Sequence, residues 1–198
     1  MDDTTLVNAA QRGDRQALDQ LLRAHQSRVH AICRRIAGND ADALDATQEA
    51  LIAIVKGLPR FDGRSKFSTW VYRIATNACI DELRRRQRHP TPGLPEHEHA
   101  DPNLMVSRSP RDPADTVSAR IDIDRGLKQL PEEFRTAVVL RDVAGLNYNE
   151  IAEVLNIAPG TVRSRIARGR RRLVNVMNPG DSRNQPPPDN RQNEQADD

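Results

Sequence analysis

The sequence predicts an all-α protein with two small helical domains, an N-terminal helical bundle and a C-terminal helix-turn-helix, joined by a flexible linker. Two observations predict this fold class. Apolar residues recur at spacings of three and four along residues 14–88 and again after residue 117, as they do on amphipathic helices. Between these segments, residues 89–116 contain six prolines and no apolar periodicity, which is typical of a linker.

The same patterns divide the chain into four segments. We expect a helical domain at residues 1–88, the linker at 89–116, a second helical domain at 117–177 and a disordered tail at 178–198. Disorder is expected of the tail because it is rich in Pro, Asn, Gln and Asp and has too little apolar surface to bury.

Four helices are predicted in the N-terminal domain. Gly13 and Asp14 are typical of a helix end followed by an N-cap. The second helix ends at Gly38, the third ends before Pro59, and the fourth begins near Ser68. The predicted core positions are Leu18, Leu21, Leu22, Val29, Ile32, Cys33 and Ile36 on the second helix, Leu44, Leu51, Ile54, Val55 and Leu58 on the third, and Trp70, Val71, Ile74, Ala75, Ala78 and Leu83 on the fourth.

In the C-terminal domain, local signals predict a short helix, a tight turn and a longer helix. Asn147 and Glu150 have the spacing of a capping box. Asn156 can adopt the left-handed conformation that ends the short helix, and Pro159 suits the first turn of the last helix. This arrangement predicts a helix-turn-helix.

The last helix carries most of the positive charge of its domain. The formal net charge is only +2, but residues 160–173 contain six arginines and no acid. On a helical wheel the apolar positions Val162, Ile166 and Leu173 face the core. The outward face holds Ser164, Ala167, Arg168 and Arg171, flanked by Arg163 and Arg165, and phosphate contacts are expected from Arg165, Arg170 and Arg172.

Such a face fits the major groove of DNA, because an arginine can donate two hydrogen bonds to one guanine. A solvated basic face is the alternative interpretation, and the helix-turn-helix spacing beside it favours DNA.

Composition excludes several other classes of protein. The residues after Met1 lack a basic and apolar leader, and no run of about 18 apolar residues exists, so we expect a cytoplasmic protein without membrane insertion. Cys33 and Cys79 have neither metal-ligand nor disulfide-framework spacing, and they are expected to be buried core residues. No catalytic residue, metal site or cofactor is predicted.

Longer stretches resemble a known family. Residues 42–61, DALDATQEALIAIVKGLPRF, and 67–88, FSTWVYRIATNACIDELRRRQR, resemble the second conserved region of bacterial sigma factors. Residues 130–173, which begin LPEEFRTAVVLRD, resemble the fourth region. With only a linker between them, the chain resembles an extracytoplasmic-function sigma factor over about residues 5–88 and 117–174.

This resemblance implies a function without catalysis. It implies that the chain binds core RNA polymerase, through the coiled coil of the largest subunit and through the flap, and directs it to promoters. Recognition of −35 and −10 elements and help with strand opening are implied as well. The family also implies an anti-sigma factor as a partner, and we expect a monomer when the chain is free.

Individual residues match family positions. Asp45, Gln48 and Glu49 match the D-x-x-Q-E patch that docks on the polymerase coiled coil, and they share a helix face away from most predicted apolar positions. Phe67 and Trp70 fit the core as well as they fit base stacking. The residues implied at the −10 element are Phe61, Arg64, Ser65, Phe67, Trp70, Arg73, Asn77, Arg84, Arg85 and Arg86, and those at the −35 element are Arg163, Ser164, Arg165, Ala167, Arg168 and Arg171.

Two other functions compete with this interpretation. A stand-alone helix-turn-helix repressor or activator would dimerise on a palindrome, but the sequence offers no dimerising coiled coil. An enzyme would need a reactive set of side chains, and the linker histidines His89, His97 and His99 form only a weak H-x-H pattern.

Overall fold

The structure is a computed structural model that describes residues 2–88 and 123–177. Every regular element in these two ranges is a helix, which confirms the predicted all-α fold with two helical domains. The predicted linker at 89–116, the start of the second domain at 117 and the tail at 178–198 lie outside the described residues. The helices are α1 Asp3–Gln11, α2 Arg15–Ala37, α3 Asp40–Gly57, a 3₁₀ turn Leu58–Arg60, α4 Phe67–Arg88, α5 with residues 123–128 as its described part, α6 Glu132–Asp142, α7 Tyr148–Leu155 and α8 Pro159–Met177.

Local capping sets the bounds of the N-terminal helices. The Asp14 carboxylate accepts hydrogen bonds from the backbone N–H groups of Gln16 and Ala17, so α2 begins as predicted. Gly38 ends α2 with a left-handed φ of 81°, which costs glycine little. Asn39 then caps α3 by accepting the Asp42 N–H at 2.8 Å.

The core of the N-terminal bundle lies between α2, α3 and α4. Leu21, Ile32, Ile36, Ile54 and Val71 are almost fully buried, and each such side chain contributes about 1.5–3 kcal/mol relative to an exposed one. Thr47 and Thr76 are also buried in this core, and their hydroxyls donate to backbone carbonyls of the preceding turn. Their polar atoms are therefore satisfied without water.

Helix α3 and the turn after it bury only part of the predicted face, with Ile54 and Leu58 in the core as predicted. Leu44 and Val55 are 52% and 40% exposed, so the prediction that they are core residues is wrong. The buried face carries small residues instead, because α3 packs against both α2 and α4. Its buried residues are Ala43, Ala46, Thr47, Ala50 and Ile54.

Close packing of α6 against α8 forms the C-terminal core. Gly169 lies in the middle of α8, where an added Cβ would be 2.6 Å from Val138 Cγ2 and 3.2 Å from the Phe134 carbonyl oxygen. Only glycine fits there without displacing α6. The glycine therefore allows the arginine-rich helix to approach the apolar side of α6.

The two domains contact each other. Helix α2 packs near α6, and α4 packs near α7. Asp124 of α5 lies 3.3 Å from Arg34 Nη1 and 3.2 Å from Arg35 Nε. Lys66 Nζ, in the loop before α4, lies 3.0 Å from Glu150 Oε1 of α7. No local sequence signal predicted these contacts.

Candidate nucleic-acid interface

The helix-turn-helix consists of α7, a turn at residues 156–158 and α8. Asn147 Oδ1 accepts the backbone N–H groups of Asn149 and Glu150, and Glu150 Oε2 accepts the Asn147 N–H at 2.8 Å. This backbone hydrogen bond is the main cause that lowers the pKa of the Glu150 carboxyl from its ordinary value, with Lys66 adding to it. Asn156 has φ of 52°, and α8 begins at Pro159. The predicted capping box, the left-handed Asn156 and the start of the last helix at Pro159 are confirmed.

Helix α8 has the buried and exposed sides that its periodicity predicts. Val162 and Ile166 are buried, at 0% and 2% exposure, and Leu173 is half-buried. The exposed side carries Arg163, Ser164, Ala167, Arg168 and Arg171. Among the residues that the structure describes, no ion-pair partner contacts Arg163, Arg168 or Arg171, so their guanidinium groups are free to meet a ligand.

Three other arginines of α8 are held by α6. Arg165 Nη2 lies 2.9 Å from Glu133 Oε2 and is half-buried. Arg170 forms a two-point ion pair with Asp142, whose hydrogen bond raises the pKa of the guanidinium. Arg172 lies over the Phe134 ring at 4.8 Å. Arg165 therefore lies at the flank of the outward face, as predicted, and its guanidinium is engaged by its own domain.

Around the loop before α4, aromatic rings form a cluster. Phe67 is 6% exposed and packs edge-on against His25 and Phe61, while Trp70 packs against both phenylalanines. Phe67 is thus a core residue, one of the two alternatives that the sequence left open. Phe61 and Trp70 are half-buried, so part of each ring remains accessible.

Gln11 was not predicted to contribute to this site. Its Nε2 donates to the Leu58 and Phe61 carbonyl oxygens at 3.0 and 2.8 Å and so fixes the 3₁₀ turn that leads into the loop. A single polar residue at the end of a short helix carries no pattern from which the sequence alone could reveal this role.

The loop itself has two charged contacts. Arg64 pairs with Asp62 at 3.1 Å and remains 90% exposed. Ser65 is half-buried, and Lys66 reaches Glu150 of the other domain. The predicted residues Arg64 and Ser65 therefore lie at the surface, and the sequence did not single out Lys66.

On α4, the predicted DNA residues fall into two groups. Arg73 and Asn77 are exposed one turn apart, and Arg73 has no ion-pair partner among the described residues. The arginines at the end of the helix are instead paired, Arg85 with Glu82 at 2.8 Å and Arg86 with Asp42 at 3.0 Å. Arg84 lies 3.8 Å from Asp81. Exposed pairs of this kind contribute about 0–1 kcal/mol, so a phosphate can replace the carboxylate.

A groove between α3 and α4 brings the predicted polymerase residues together. Asp45, Gln48 and Glu49 line it with Asn77 and Arg85, and its volume is about 780 Å³. Arg85 Nη2 lies 3.7 Å from Asp45 Oδ2, and the hydrogen bond that Arg85 donates to Glu82 is the main cause that raises the pKa of Arg85.

The surface beside this groove is more apolar than the sequence indicated. Leu44 and Ile52, four residues before and after Gln48, are 52% and 46% exposed. The acidic patch lies away from the buried residues of α3, but exposed Leu44 and Ile52 flank it. The available signal was the run of small residues on the opposite face of α3, which marks the buried side.

The two cysteines lie together in the N-terminal core. Cys33 of α2 and Cys79 of α4 are both 0% exposed, as predicted. The neighbouring Cys33 thiol and burial raise the pKa of Cys79. Within residues 2–88 and 123–177 no group of His, Cys, Asp or Glu could hold a metal ion, and no helix there is long and apolar enough to span a bilayer.

A helix-turn-helix with a free basic face, beside a helical bundle with a second basic segment, defines a DNA-binding protein. Family comparisons make this class more specific. The Sigma-70 region 2 family matches residues 21–89, and the Sigma-70, region 4 family matches residues 120–173. The chain belongs to the family of extracytoplasmic-function (ECF) RNA polymerase sigma factors.

Several relatives support this assignment. The ECF RNA polymerase sigma factor SigM of Mycobacterium tuberculosis is 38% identical over 175 residues, which cover 88% of this chain and 84% of the relative. The RNA polymerase sigma-H factor of Pseudomonas aeruginosa is 36% identical, over 89% of this chain and 94% of the relative. The ECF RNA polymerase sigma-E factor of Escherichia coli is 34% identical, over 89% and 95%.

Solved structures share the fold. CnrH, in complex with the cytosolic domain of CnrY, superposes with a TM-score of 0.66 at 24% identity and covers 90% of this chain and 98% of that chain. The sigma factor RpoE from Bartonella quintana, in complex with the anti-sigma factor NepR, gives 0.64 at 22% identity, over 80% and 95%. The chain is thus a promoter-specificity factor, which binds core RNA polymerase and directs it to promoter DNA.

Proposed function

We propose that this sigma factor divides promoter recognition among three surfaces. Helix α8 reads the −35 element, α4 with the loop at residues 60–67 holds the −10 element, and the exposed patch on α3 docks on the coiled coil of the largest polymerase subunit. The observation that carries this proposal is the set of free arginines on the outward face of a capped helix-turn-helix.

The −35 assignment rests on the difference between the arginines of α8. Arg163 and Arg168 are exposed and unpaired among the described residues, and Ser164 and Ala167 lie between them on the same face. A guanidinium without an acidic partner can donate to base edges, and the small side chains allow close approach to the groove. Arg165 and Arg170, held at the flank by acids, are placed to meet phosphates.

The −10 assignment rests on exposure along α4 and around the loop. Arg73 and Asn77 point outward one turn apart, with part of the Phe61 and Trp70 rings accessible nearby. Opening a duplex leaves unstacked bases, and stacking on an aromatic ring stabilises each by about 1–3 kcal/mol. Phe61 and Trp70 supply rings for such stacking, whereas buried Phe67 supports them from beneath.

The polymerase assignment rests on the combination of acids and apolar surface on α3. Asp45, Gln48 and Glu49 are exposed, and Leu44, Ile52 and Val55 add apolar area around them. Stable protein interfaces have an apolar centre and a polar rim. Exposed leucine and isoleucine beside an acidic patch fit a partner surface that is both basic and apolar.

The remaining roles follow from the family and from these surfaces. We expect the chain to act in the cytoplasm, to be a monomer when free, and to meet the polymerase flap through its C-terminal domain. CnrH is bound to the cytosolic domain of CnrY, and RpoE is bound to the anti-sigma factor NepR. We propose that an anti-sigma factor binds this chain too. It supplies no catalytic group, cofactor or metal to the polymerase reaction.

Run-off transcription tests the function as a whole. Core polymerase with this chain should initiate at defined start sites, whereas core alone should not. Gel shift separates the rival function, because a stand-alone repressor would bind its operator without polymerase. Tight, specific binding by the free chain with no effect on transcription would support the repressor.

A double substitution tests the polymerase patch. Asp45→Ala with Glu49→Ala should weaken binding to core while thermal stability changes little, since both side chains are exposed. Asp19→Ala is the matched control, because Asp19 is an exposed acid on α2 that pairs with Arg23 of its own helix. Equal core affinity for the double variant and the control would remove the patch from the interface.

A further inference from the structure

The last residue of α1, Gln11, contacts the backbone that leads into the loop at residues 60–67. Its Nε2 donates to the Leu58 carbonyl oxygen at 3.0 Å and to the Phe61 carbonyl oxygen at 2.8 Å, across 47 and 50 residues of chain. A side-chain amide has two N–H groups to donate, and each of them meets one carbonyl here. Gln11 therefore joins the start of the 3₁₀ turn to the residue that follows it.

The turn itself has few hydrogen bonds of its own. Pro59 has no backbone N–H, and the bond within the turn runs from the Phe61 N–H to the Leu58 carbonyl oxygen at 3.1 Å. The hydrogen-bond geometry of a 3₁₀ turn is also poorer than that of an α-helix. The Phe61 carbonyl lies beyond the internal bond, so Gln11 sets the direction of the backbone as it enters the loop.

The arrangement of the aromatic rings depends on the position of this turn. The Phe61 ring, at the end of the turn, has its centroid 5.1 Å from that of Trp70 and 5.6 Å from that of Phe67. Trp70 belongs to α4 and lies against the backbone just before the turn, since a Cβ added to Gly57 would be 3.0 Å from Trp70 Cζ2. A displacement of the turn would therefore move the Phe61 ring relative to the Trp70 ring.

Helix α1 is itself fixed to the bundle along its length. At its start, Asp3 Oδ2 lies 3.0 Å from His25 Nε2 of α2, and the His25 ring packs edge-on against Phe67 at 5.3 Å between centroids. In its middle, Leu6 and Val7 are buried. Gln11 therefore holds the turn from a well-packed helix.

From these contacts we infer that Gln11 is a positioning residue for the −10 element. Its two hydrogen bonds hold the half-buried Phe61 and Trp70 rings in the arrangement that accepts an unstacked base of the non-template strand, and Gln11 acts through the loop rather than by touching DNA. Groups that are ordered before binding cost less free energy to order when the ligand arrives. The inference deepens the proposed function of the loop and rests on it.

The substitution Gln11→Met removes both donors with no change in charge and little change in length. In holoenzyme, it should weaken binding to a single-stranded non-template oligonucleotide that spans the −10 element of a mapped promoter by about fivefold or more, the loss expected for two weak hydrogen bonds. Affinity for core polymerase should remain that of the parent chain. Gln20→Met is the matched control at an exposed position of α2, and it should change neither affinity.

Two further substitutions separate hydrogen bonding from packing. Gln11→Lys restores N–H donors at the end of a flexible side chain and should recover strand affinity, with Gln20→Lys measuring what the added positive charge contributes by itself. Gln11→Glu keeps the shape of the side chain but cannot donate when ionised, so it should bind the strand at least as weakly as Gln11→Met. If Gln11→Lys, corrected for the effect of Gln20→Lys, bound the strand no better than Gln11→Met, the inference would be wrong.

Fluorescence reports on the rings themselves, because Trp70 is the single tryptophan of the chain. In the free chain, Gln11→Met should increase quenching of Trp70 by acrylamide while the helical circular dichroism stays that of the parent. Weaker strand binding with unchanged quenching would overturn the inference, and so would a loss of helical circular dichroism, which would make Gln11 a support of the whole bundle. If holoenzyme with the parent chain did not bind the strand, the proposed function would fail, and the quenching would still decide whether Gln11 sets the ring arrangement.

Discussion

At the scale of single residues, neighbours decide what each arginine of α8 does. Arg165, Arg170 and Arg172 are held against α6 by Glu133, Asp142 and the Phe134 ring. Arg163, Arg168 and Arg171 project from the opposite side without ion-pair partners among the described residues. A free guanidinium can donate to base edges, whereas a paired one is already engaged. We therefore propose that the second group reads bases.

Substitution of a free arginine should change specificity. Arg168→Ala should reduce discrimination at one base pair of the −35 element by about 1–3 kcal/mol, because one direct contact to a base is lost. Binding of holoenzyme to promoters that differ at single −35 positions measures this. The matched control is Arg170→Ala, which removes a paired arginine of the same helix. An equal loss of affinity on every promoter would mean that Arg168 contacts phosphate rather than a base.

The two glycines of α8 provide a second test at this scale. Gly169→Ala places a methyl group 2.6 Å from Val138 Cγ2 and should destabilise the C-terminal domain by about 1–3 kcal/mol through overpacking. Gly160→Ala meets nothing within 4 Å and should stabilise the helix by about 0.5–1 kcal/mol. Urea denaturation followed by circular dichroism measures both. Stabilisation by Gly169→Ala would show that α8 does not pack closely on α6.

At the scale of elements, local signals predicted the helix-turn-helix correctly, but hydrophobic periodicity assigned two exposed residues of α3 to the core. Asn147, Glu150 and Asn156 act through hydrogen bonds and dihedral angles within a few residues, so their pattern was sufficient. The buried side of α3 depends on how closely α2 and α4 approach, and that distance favours Ala43, Ala46 and Ala50 over larger neighbours. Hydrophobic periodicity alone assigned Leu44 and Val55 to the core, where the structure leaves them exposed.

The same distinction applies to the ion pairs. Arg165 and Glu133, or Arg170 and Asp142, are about thirty residues apart in the chain, and only the packing of α6 on α8 brings them together. The sequence therefore predicted which residues of α8 face outward, but it could not separate the free arginines from the paired ones. Residue type and spacing predict which side of a helix is exposed, whereas ion pairs with other helices determine which of its arginines are free.

The cap of α7 should make domain stability depend on pH. The pKa of Glu150 is lowered in the folded chain, first by the Asn147 N–H and then by Lys66. Because the folded pKa is lower than the unfolded one, the stability that ionised Glu150 contributes is present above the unfolded pKa and is lost as pH falls through the folded pKa.

Urea midpoints between pH 7 and pH 3 should therefore fall more for the parent than for Glu150→Gln. Glu153→Gln, an exposed acid on the same helix, should behave like the parent. If the urea midpoint depended on pH in the same way for all three chains, ionised Glu150 would not stabilise the folded chain.

At the scale of the whole molecule, the two domains touch through Asp124 and Glu150, whereas the two promoter elements that they are proposed to hold are separated along the DNA. The predicted linker of 28 residues would span at most about 95 Å when extended, which exceeds two turns of B-DNA at roughly 70 Å. Separated domains would therefore have the reach to hold the proposed −35 and −10 elements at once, and the second contact would benefit from effective concentration.

Bound to polymerase, the two domains should show different kinds of contact with one promoter. Arg73 is exposed on α4 and unpaired among the described residues, in a position that suits backbone phosphate. Arg73→Ala should weaken holoenzyme binding by a similar factor on all promoters and reduce the slope of log affinity against log salt by about one.

Filter binding across a range of salt concentrations measures this slope, with Arg23→Ala as the control, because Arg23 is an exposed arginine paired with Asp19 on α2. Phosphate neutralisation releases counterions whatever the base sequence, whereas base reading by Arg168 depends on one position. A loss for Arg73→Ala that varied from promoter to promoter, with an unchanged salt slope, would place Arg73 on a base instead. The affinity losses caused by the substitutions on α4 and on α8 would then both depend on the promoter sequence.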